Sequence, residues 1–368
     1  MFTTQELLNR VAYPSVGQNL RRKSGKLHDQ IKVATGKTTY NPFTSTGTIF
    51  TNNQVFPLSG NQIFAITKLS LYLQTKISSG ALYASLLELL QQSYLEINVD
   101  NRQMIKIPLI ECLSYYYIDQ IGTDPQQQNL RPVYLKRVKN LIIPIVLNSQ
   151  SNVQVNVVLT TTAAADFNNG LIDIMFDGIA FDKLDTLFLN FVQGKQFSEL
   201  ASTLWETQAV STTGQNTFNF FVTPTTLNNR FSGTLPLSTS ERFEIQAIEI
   251  FIGGNVGTTD VLNLVRNNRI NNQLVINVEN VKYFESNKSD MLSIAAAQSV
   301  VFNDNAATPV STSLISIEIE HQNKILEIPL IIPAVGNVQV QLTQPAASLN
   351  SAQFITLMLK GKKTRQVI

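Results

Sequence analysis

The sequence has few residues of the kinds that metal sites and covalent catalysis require. Its 368 residues include one cysteine, Cys112, and two histidines, His28 and His321. One cysteine excludes an intrachain disulfide, and two histidines are too few for the ligands that a cupin or a two-domain copper hydroxylase places in one barrel. The sequence also lacks a glycine-rich phosphate loop and a Gly-x-Ser-x-Gly elbow. We therefore predict no enzyme activity, no metal and no cofactor, and a buried, unreactive Cys112.

Charge is also scarce, because Asp, Glu, Lys and Arg make up only 15% of the chain, against roughly 25% in an average domain. Asn, Gln, Ser and Thr must therefore supply the polar surface, which suits permanent burial between subunits. A secreted β protein is the alternative. The first residues lack the basic and apolar regions of a secretory signal, and secreted β proteins often carry several cysteines. No apolar run approaches the roughly 20 residues of a membrane span.

The sequence repeats itself once, in an order that is kept along the whole chain. A shared order with small slips in loops indicates two copies of one domain and excludes a solenoid, whose period is about 20–50 residues. A length of 368 residues also suits two domains. With offsets of 179, 185 and 183 residues, the matches are Pro57–Ser59 with Pro236–Ser238, Leu95–Asn101 with Leu274–Asn280, Asn152–Val155 with Asn337–Val340, and Met175 and Gly178 with Met358 and Gly361.

Apolar residues spaced by two predict strands in both copies, as in Leu95, Ile97 and Val99. Clusters of Asn, Gly and Pro interrupt these runs at short intervals. We therefore predict an antiparallel two-sheet sandwich of about eight strands in each copy. A jelly roll fits this size, whereas an immunoglobulin-like sandwich is smaller and usually lacks a helix.

Helices are predicted at a few places between the strands. Ala81–Gln92 carries four leucines on one face, and Thr259–Arg269 lies at the same place in the second copy with a weaker stripe. Thr4–Ala12 combines a capping threonine with an apolar stripe. Lys195–Glu206 is either a helix or part of a linker, and we expect its Trp205 to pack between the copies.

The predicted architecture is thus all-β, with two tandem jelly rolls that each contain a short inserted helix. The predicted divisions of the chain are an N-terminal basic arm with a short helix at 1–37, a first jelly roll at 38–190, a linker at 191–212 and a second jelly roll with a basic tail at 213–368.

Carboxylates crowd the end of the first copy, at Asp166, Asp173, Asp177, Asp182 and Asp185. Paired acids could hydrolyse glycosides or hold calcium, but the spacing is not that of a calcium loop. Asp173 and Asp177 lie four residues apart on a predicted strand and hence on one face. The second copy has Thr356 and Lys360 at their positions. Asp173 and Asp177 are therefore predicted to form either a solvated edge or a contact with a neighbouring subunit or an ion. The exchange of charge suits a contact between unlike copies of neighbouring chains.

Both ends of the chain are basic. Residues 1–37 carry seven basic and two acidic residues, which predicts an anionic partner, either lipid headgroups or nucleic acid, or else a solvated tail. The amphipathic segment beside the basic run favours lipid, and the lack of interleaved aromatics argues against base stacking. The residues predicted to face a membrane or another anion are Arg10, Arg21, Arg22, Lys23, Lys26, Lys360, Lys362, Lys363 and Arg365.

A tandem of two helix-bearing jelly rolls after a basic arm resembles the double jelly-roll major capsid proteins of adenoviruses, tectiviruses, corticoviruses and finnlakeviruses. The resemblance covers residues 38–368. It rests on the duplication, the size of each copy and the lack of a catalytic site, since no short motif defines the family. The short copies are most similar to the capsid proteins of tailless bacteriophages with an internal membrane.

The resemblance implies a structural protein of the virion that is synthesised in the host cytoplasm. Three chains would form a pseudo-hexagonal capsomer of an icosahedral shell, with its base against an internal membrane. Neighbouring capsomers and minor capsid or vertex proteins would be further partners, without sequence-specific nucleic acid. Two alternatives stay open: a carbohydrate- or receptor-binding surface protein with Tyr115, Tyr116 and Tyr117 in a groove, and a glycosidase or amidase that uses the aspartate cluster.

Overall fold

The fold is that of a computed structural model, which describes most of the chain between residues 22 and 365. The described residues are 22–44, 56–58, 62–75, 80–121, 129–135, 137–181, 199–211, 214–222, 228–229, 240–255, 273–286, 292–302, 311–318, 324–333, 337–344 and 353–365.

Strands dominate the first copy. Its described elements, in chain order, are β1 (Arg22–Lys32), β2 (Thr39–Tyr40), β3 (Ile63–Leu73), helix α1 (Gly80–Gln92), β4 (Tyr94–Val99), β5 (Arg102–Pro108), the 3₁₀ helix η1 (Leu109–Glu111), β6 (Leu113–Ile121), β7 (Asn129–Leu135), β8 (Lys139–Asn148), β9 (Val153–Val158), helix α2 (Thr161–Asp166) and β10 (Leu171–Phe181).

Eight of these strands form a jelly roll. The large sheet contains β1, β10, β3 and β8, and the small sheet has the order β2-β9-β4-β5. The first and last strands, β1 and β10, pair antiparallel as direct neighbours, as the closure of a jelly roll requires. The remaining pair, β6 and β7, is a hairpin that extends the large sheet, and β6 runs parallel to the end of β3.

The second copy is also built of strands. Those described are β11 (Glu199–Ala209), β12 (Thr217–Phe220), β13 (Asn228–Asn229), β14 (Glu241–Asn255), β15 (Gln273–Val278), β16 (Val281–Ser286), β17 (Leu292–Phe302), β18 (Ser311–Glu318), β19 (Lys324–Ile332), β20 (Val338–Thr343) and β21 (Gln353–Arg365).

The two copies have the same topology, which confirms the predicted duplication and the fold of two tandem jelly rolls. In the second large sheet β11, β21, β14 and β19 take the places of β1, β10, β3 and β8, and β17 again runs parallel to its neighbour β14. The second small sheet has the matching order β12-β20-β15-β16. Leu95–Asn101 and Leu274–Asn280 therefore occupy equivalent strands and turns.

Local backbone features recur with the duplication. The turn after β4 places Asp100 and Asn101 at φ of 52° and 60°, and the turn after β15 places Glu279 and Asn280 at 52° and 62°. Short polar side chains tolerate this left-handed region better than most others, and Glu279 occupies it as well. In both copies the same acidic side chain also accepts a hydrogen bond from the backbone of a neighbouring loop, at Asn152 and Asn337.

The predicted alternation places one side of each sandwich strand in a core. Leu95, Ile97 and Val99 of β4 are buried, as are Leu274, Ile276 and Val278 of β15. Each such side chain stabilises the fold by about 1.5–3 kcal/mol. The helix predicted at Ala81–Gln92 is confirmed as α1, whose Leu86, Leu89 and Leu90 lie in the core of the first copy. None of the helices that the described residues form has the length and apolar character of a membrane span.

Two predicted boundaries differ from the structure. The first jelly roll begins earlier, because β1 lies within the predicted basic arm and pairs along its whole length with β10. The prediction of a helix or linker at Lys195–Glu206 is wrong for the residues that are described there, because residues 199–209 form β11, a strand of the second jelly roll that pairs with β21. The helices predicted at Thr4–Ala12 and Thr259–Arg269 lie outside the described residues.

Candidate assembly interface

The two copies meet through unlike surfaces. The first copy contributes α1, β5, η1 and β8, which together we call its docking surface. The second copy contributes the outer face of its large sheet, at β11, β21 and β14. The central residues of these strands are thus buried on both sides. We call this outer face the receptor face of that copy; its residues here are Thr203, Trp205, Thr207, Glu249, Thr356, Met358 and Lys360.

Gln91, at the end of α1, connects the copies through hydrogen bonds. Its Nε2 donates to the backbone oxygen of Phe354 at 3.1 Å and to Oγ1 of Thr356 at 3.0 Å. Its backbone oxygen accepts from Oγ1 of Thr207 at 2.7 Å. Because Gln91 and Thr356 are fully buried, these bonds replace water and fix the end of α1 against β21 and β11.

A buried ion-pair network lies beside this contact. In the first copy, Nζ of Lys139 lies 2.7 Å from a carboxylate oxygen of Glu111. Across the interface, Nζ of Lys360 lies 3.4 Å from Glu111, and the guanidinium of Arg137 lies 3.1 Å from Glu249. Within the second copy, Nζ of Lys360 lies 2.6 Å from Glu249. Three cations and two anions therefore alternate in sign along a network that crosses the interface twice.

The charges in this network support one another. Burial by itself raises the pKa of Glu111, but the positive charges of Lys139 and Lys360 outweigh it and hold that pKa below its ordinary value. Burial by itself lowers the pKa of Lys360, and Glu249 and Glu111 raise it above its ordinary value. Both groups are therefore charged at neutral pH. Such a network fixes the relative position of the copies, because displacement of one partner leaves another charge buried and unpaired.

Trp205 packs between the copies, as predicted, although it belongs to β11 and not to a linker. It is fully buried and joins the core cluster of the first copy. Its ring centroid lies 6.5 Å from that of Tyr94 in β4. Phe251 and Met358, also on the receptor face, join the same cluster. The apolar part of this interface is therefore continuous with a domain core.

The prediction that the C-terminal cations face a membrane or another anion is wrong. All of them lie on β21, between β11 and β14, where glutamates of the neighbouring strands neutralise them. Besides the two ion pairs of Lys360, the contacts are Lys362 with Glu199 at 3.9 Å and Glu244 at 3.6 Å, and Lys363 and Arg365 with Glu241 at 2.7 and 3.2 Å.

The N-terminal cations have a different setting. Arg10 and Arg21 lie outside the described residues, while Arg22 and Lys23 begin β1. Lys26 is half-exposed, and its Nζ lies 3.5 Å from a carboxylate oxygen of Asp177 on the adjacent strand. The predicted contact of the N-terminal group with an anion remains a prediction, with Lys26 already engaged within the sheet.

The aspartates do not form one site. Asp173 and Asp177 share the outer face of β10, as predicted, and Asp173 accepts hydrogen bonds from Gln30 at 2.7 Å and from Gln74. Asp166 lies at the end of α2 and accepts from Ser85 at 2.6 Å. The last two, Asp182 and Asp185, lie outside the described residues. Within the part of the chain that is described, no three His, Cys, Asp or Glu side chains are grouped as metal ligands would be.

Two of the remaining residues considered for a site, Cys112 and Tyr115, are buried. Cys112 is fully buried, as predicted, and burial raises the pKa of its thiol. Tyr115 is also buried, so it does not present a ring to a ligand in the way that the binding-protein alternative requires. His28 lies on the outer face of β1, while His321 is outside the described residues.

Sequence reasoning did not find the central residues of the interface, which are Gln91, Glu111, Arg137, Lys139 and Glu249. Three of them stand beside or within apolar runs of the sequence, which is a sign of burial. Gln91 follows Leu89-Leu90, Glu111 lies between Ile110 and Cys112, and Glu249 lies between Ile248 and Ile250. A polar side chain within an apolar run indicates burial with a partner, because an isolated buried charge is costly. The partner itself comes from the other copy and leaves no local mark.

Comparison with known proteins finds similar folds at low sequence identity. No protein-family model matches the chain, and no curated protein matches it. Among solved structures, PBCV-1 VP54 fitted into a reconstruction of the virophage Sputnik has a TM-score of 0.38 and 10% identity, over 96% of this chain and 98% of that chain. Faustovirus major capsid protein has a TM-score of 0.30 and 7% identity, over 100% and 95%.

Proposed function

We propose that the protein is a major capsid protein, whose chains form homotrimeric, pseudo-hexagonal capsomers of an icosahedral virus shell. The contact between unlike surfaces of two similar jelly rolls carries this proposal. A head-to-tail contact repeats in one rotational sense and closes into a ring or continues as a filament. Three chains with two copies each supply six jelly rolls, the number that a six-neighbour lattice position needs.

The surface chemistry supports a role in a shell. Only 15% of the residues are charged, so amide and hydroxyl side chains supply most of the polar surface. Interfaces with few charges lose little hydration free energy when they are buried. We propose neighbouring capsomers and minor capsid or vertex proteins as partners, a location in the virion after synthesis in the host cytoplasm, and no sequence-specific contact with nucleic acid.

The state of assembly tests the proposal. We expect light scattering after size-exclusion chromatography to give three times the chain mass of 40.9 kDa, and negative-stain images to show particles of six-lobed outline. A protein that stays monomeric at high concentration would contradict it.

We also propose that the base of the capsomer faces an internal membrane, as in tailless bacteriophages of this class, through Arg10, Arg21, Arg22 and Lys23. Basic residues near an anionic surface contribute about 1 kcal/mol each. Flotation with anionic vesicles should show binding in low salt and release in high salt. Replacing Arg21, Arg22 and Lys23 by Gln should weaken binding about 100-fold.

The matched control for that variant replaces three exposed cations elsewhere, Arg102, Arg242 and Lys37, by Gln. It should bind vesicles as the wild type does. If both variants bind equally, the N-terminal cations are not the membrane contact. If the wild type binds nucleic acid and no vesicles, and the first variant loses that binding, the anion is the genome.

One observation favours the alternative of a carbohydrate-binding surface protein. A cavity of about 760 Å³ lies on the outer face of the second small sheet. Amide side chains dominate its lining, and they offer donors and acceptors to a neutral, polyhydroxylated ligand. Those that line it are Gln208, Gln215, Asn219, Asn277, Asn337, Gln339 and Gln341.

Titration with neutral oligosaccharides, followed by NMR, tests this alternative. Replacing Asn277 and Gln339 by Ala should abolish any binding. The same change at the equivalent Asn98 and Gln154 of the first copy should leave it intact. No binding by the wild type would remove the alternative.

A further inference from the structure

The receptor face is covered at β11 and β21 in the second copy and open at the equivalent β1 and β10 in the first copy. In the second copy, Thr203, Trp205 and Met358 of this face are buried under the first copy. Strand pairing identifies the equivalent residues of the two faces. The pair Lys26 and Asp177 of the first copy corresponds to Thr203 and Lys360 of the second. The pair His28 and Met175 corresponds to Trp205 and Met358. The residues of the first receptor face, which are Lys26, His28, Gln30, Asp173, Met175 and Asp177, are all partly or fully exposed.

The docking surfaces show the reverse arrangement. In the first copy β5 and β8 contact β11 of the second copy, and Met104 of β5 is 3% exposed. Its equivalent in the second copy, Tyr283 of β16, is 59% exposed. β8 and β19 differ in the same sense, because Ile143 of β8 is half-buried and its equivalent Ile328 is 84% exposed.

The exposed apolar residues of the second copy are concentrated on these two strands. Among the described residues, large apolar side chains that are exposed number eight, and five of them belong to β16 and β19: Val281, Tyr283, Ile325, Ile328 and Ile331. Such a concentration marks an interaction site, whereas isolated exposed apolar residues are common.

We propose that β16 and β19 of the second copy bind the first receptor face of a neighbouring chain, on β1 and β10. The proposal rests on the proposed function and specifies its partner as another copy of this chain. Both open surfaces lie on one molecule, yet they cannot meet there, because the contact between its own copies is head-to-tail. A neighbouring chain supplies the partner surface for each of them, and the contact between chains repeats the contact between the two copies within a chain.

The charges favour alternation of the two copies around the ring. If a first copy docked on another first copy, Arg137 would lie at Ser70, which occupies the position of Glu249. Its guanidinium would be buried without the carboxylate that lies 3.1 Å away in the observed contact. Removal of one partner from a buried pair is strongly unfavourable. Docking of the second copy on the first receptor face avoids this loss, since Lys26 and Asp177 already pair with each other.

Cross-linking tests the proposed contact. Nζ of Lys139 lies 2.9 Å from Oγ1 of Thr203 within the chain, and the equivalent positions between chains are Lys324 and Lys26. A double variant, Lys26→Cys and Lys324→Cys, treated with a short bis-maleimide should give covalent dimers and trimers. Each single variant should stay monomeric on a denaturing gel, because Cys112 is buried.

A second measurement covers the apolar half of the contact. Tyr283→Asp and Ile328→Asp should convert the trimer to folded monomers, with unchanged circular dichroism. The control, Val222→Asp, changes an apolar residue that is 68% exposed and lies off both strands, and it should remain trimeric. A wild-type trimer that gives no cross-link and tolerates both substitutions would overturn this contact and leave the proposed function standing. A wild-type monomer would overturn the proposed function itself.

Discussion

At the scale of single residues, Glu249 shows how much of this molecule depends on charges that are out of contact with water. Its carboxylate is fully buried and lies between Lys360 of the same copy and Arg137 of the other. A buried pair of this kind contributes modestly to stability, but the loss of one partner leaves the other uncompensated.

We therefore expect Glu249→Ala to lower the free energy of unfolding by about 3–5 kcal/mol, since Arg137 and Lys360 would stay buried without it. Denaturant unfolding followed by circular dichroism measures this change. The control is Glu285→Gln, which removes the exposed ion pair with Lys282 and should change the midpoint little. Equal effects of the two substitutions would show that the network is solvated.

Lys363 is expected to make the stability of the fold depend on pH. Burial lowers the pKa of Lys363 from 10.5 to about 8, against the opposing effect of Glu241. Between these two pH values the unfolded chain keeps the proton that the folded chain has released, so the contribution of this lysine to stability rises with pH by up to about 3 kcal/mol.

Unfolding free energies at pH 7.5 and pH 10 should show this rise in the wild type, and Lys363→Met should reduce it. Parallel pH dependences in the two proteins would mean that Lys363 keeps an ordinary pKa.

At the scale of elements, the duplication fixes where strands must bend. β3 and β14 each carry a bulge at equivalent positions, opposite Gly178 and Gly361. A Cβ atom at Gly361 would overlap the carbonyl oxygen of Glu244, and one at Gly178 would overlap that of Ala65. The glycines are needed for close approach of two backbones.

Gly178→Ala and Gly361→Ala should each cost about 3 kcal/mol, because the backbone of the facing strand cannot yield as a side chain does. Gly36→Ala is the control: its φ of 81° disfavours alanine, but nothing lies within 4 Å of the added carbon. Thermal unfolding midpoints of the first two variants should lie well below the midpoint of the third. Similar midpoints for all three would indicate that conformation alone, and not backbone overlap, sets the cost.

The elements also show what sequence reasoning can reach. β4 and β15 were predictable because one side of each strand faces a core, so apolar residues alternate with polar ones. β11 was not, because both of its sides are buried and Leu204, Trp205 and Thr207 give no alternation. The lysines of β21 misled for a related reason: a sequence shows that cations are close together, but it does not show the glutamates that neighbouring strands bring to them.

At the scale of the whole molecule, the two jelly rolls share a core, because Trp205 of the second copy packs in the core of the first. A contact that removes a tryptophan and five charges from water couples the two units energetically. The chain is therefore expected to unfold as one cooperative system.

The single tryptophan makes this testable. We expect its emission to shift to longer wavelength at the same denaturant concentration at which circular dichroism records the loss of strands. A fluorescence transition that precedes the other would mean that the copies separate while each stays folded.

Fusion of the two copies has a kinetic consequence. Half of the contacts in a ring of six jelly rolls would already be made when each chain finishes folding, since a tether holds the partners at an effective concentration in the millimolar range. Only the other half would depend on encounters between molecules. Ring closure would then need three bodies to meet and not six, so it would respond less steeply to the concentration of the protein, and the amount synthesised would set when a shell begins to form.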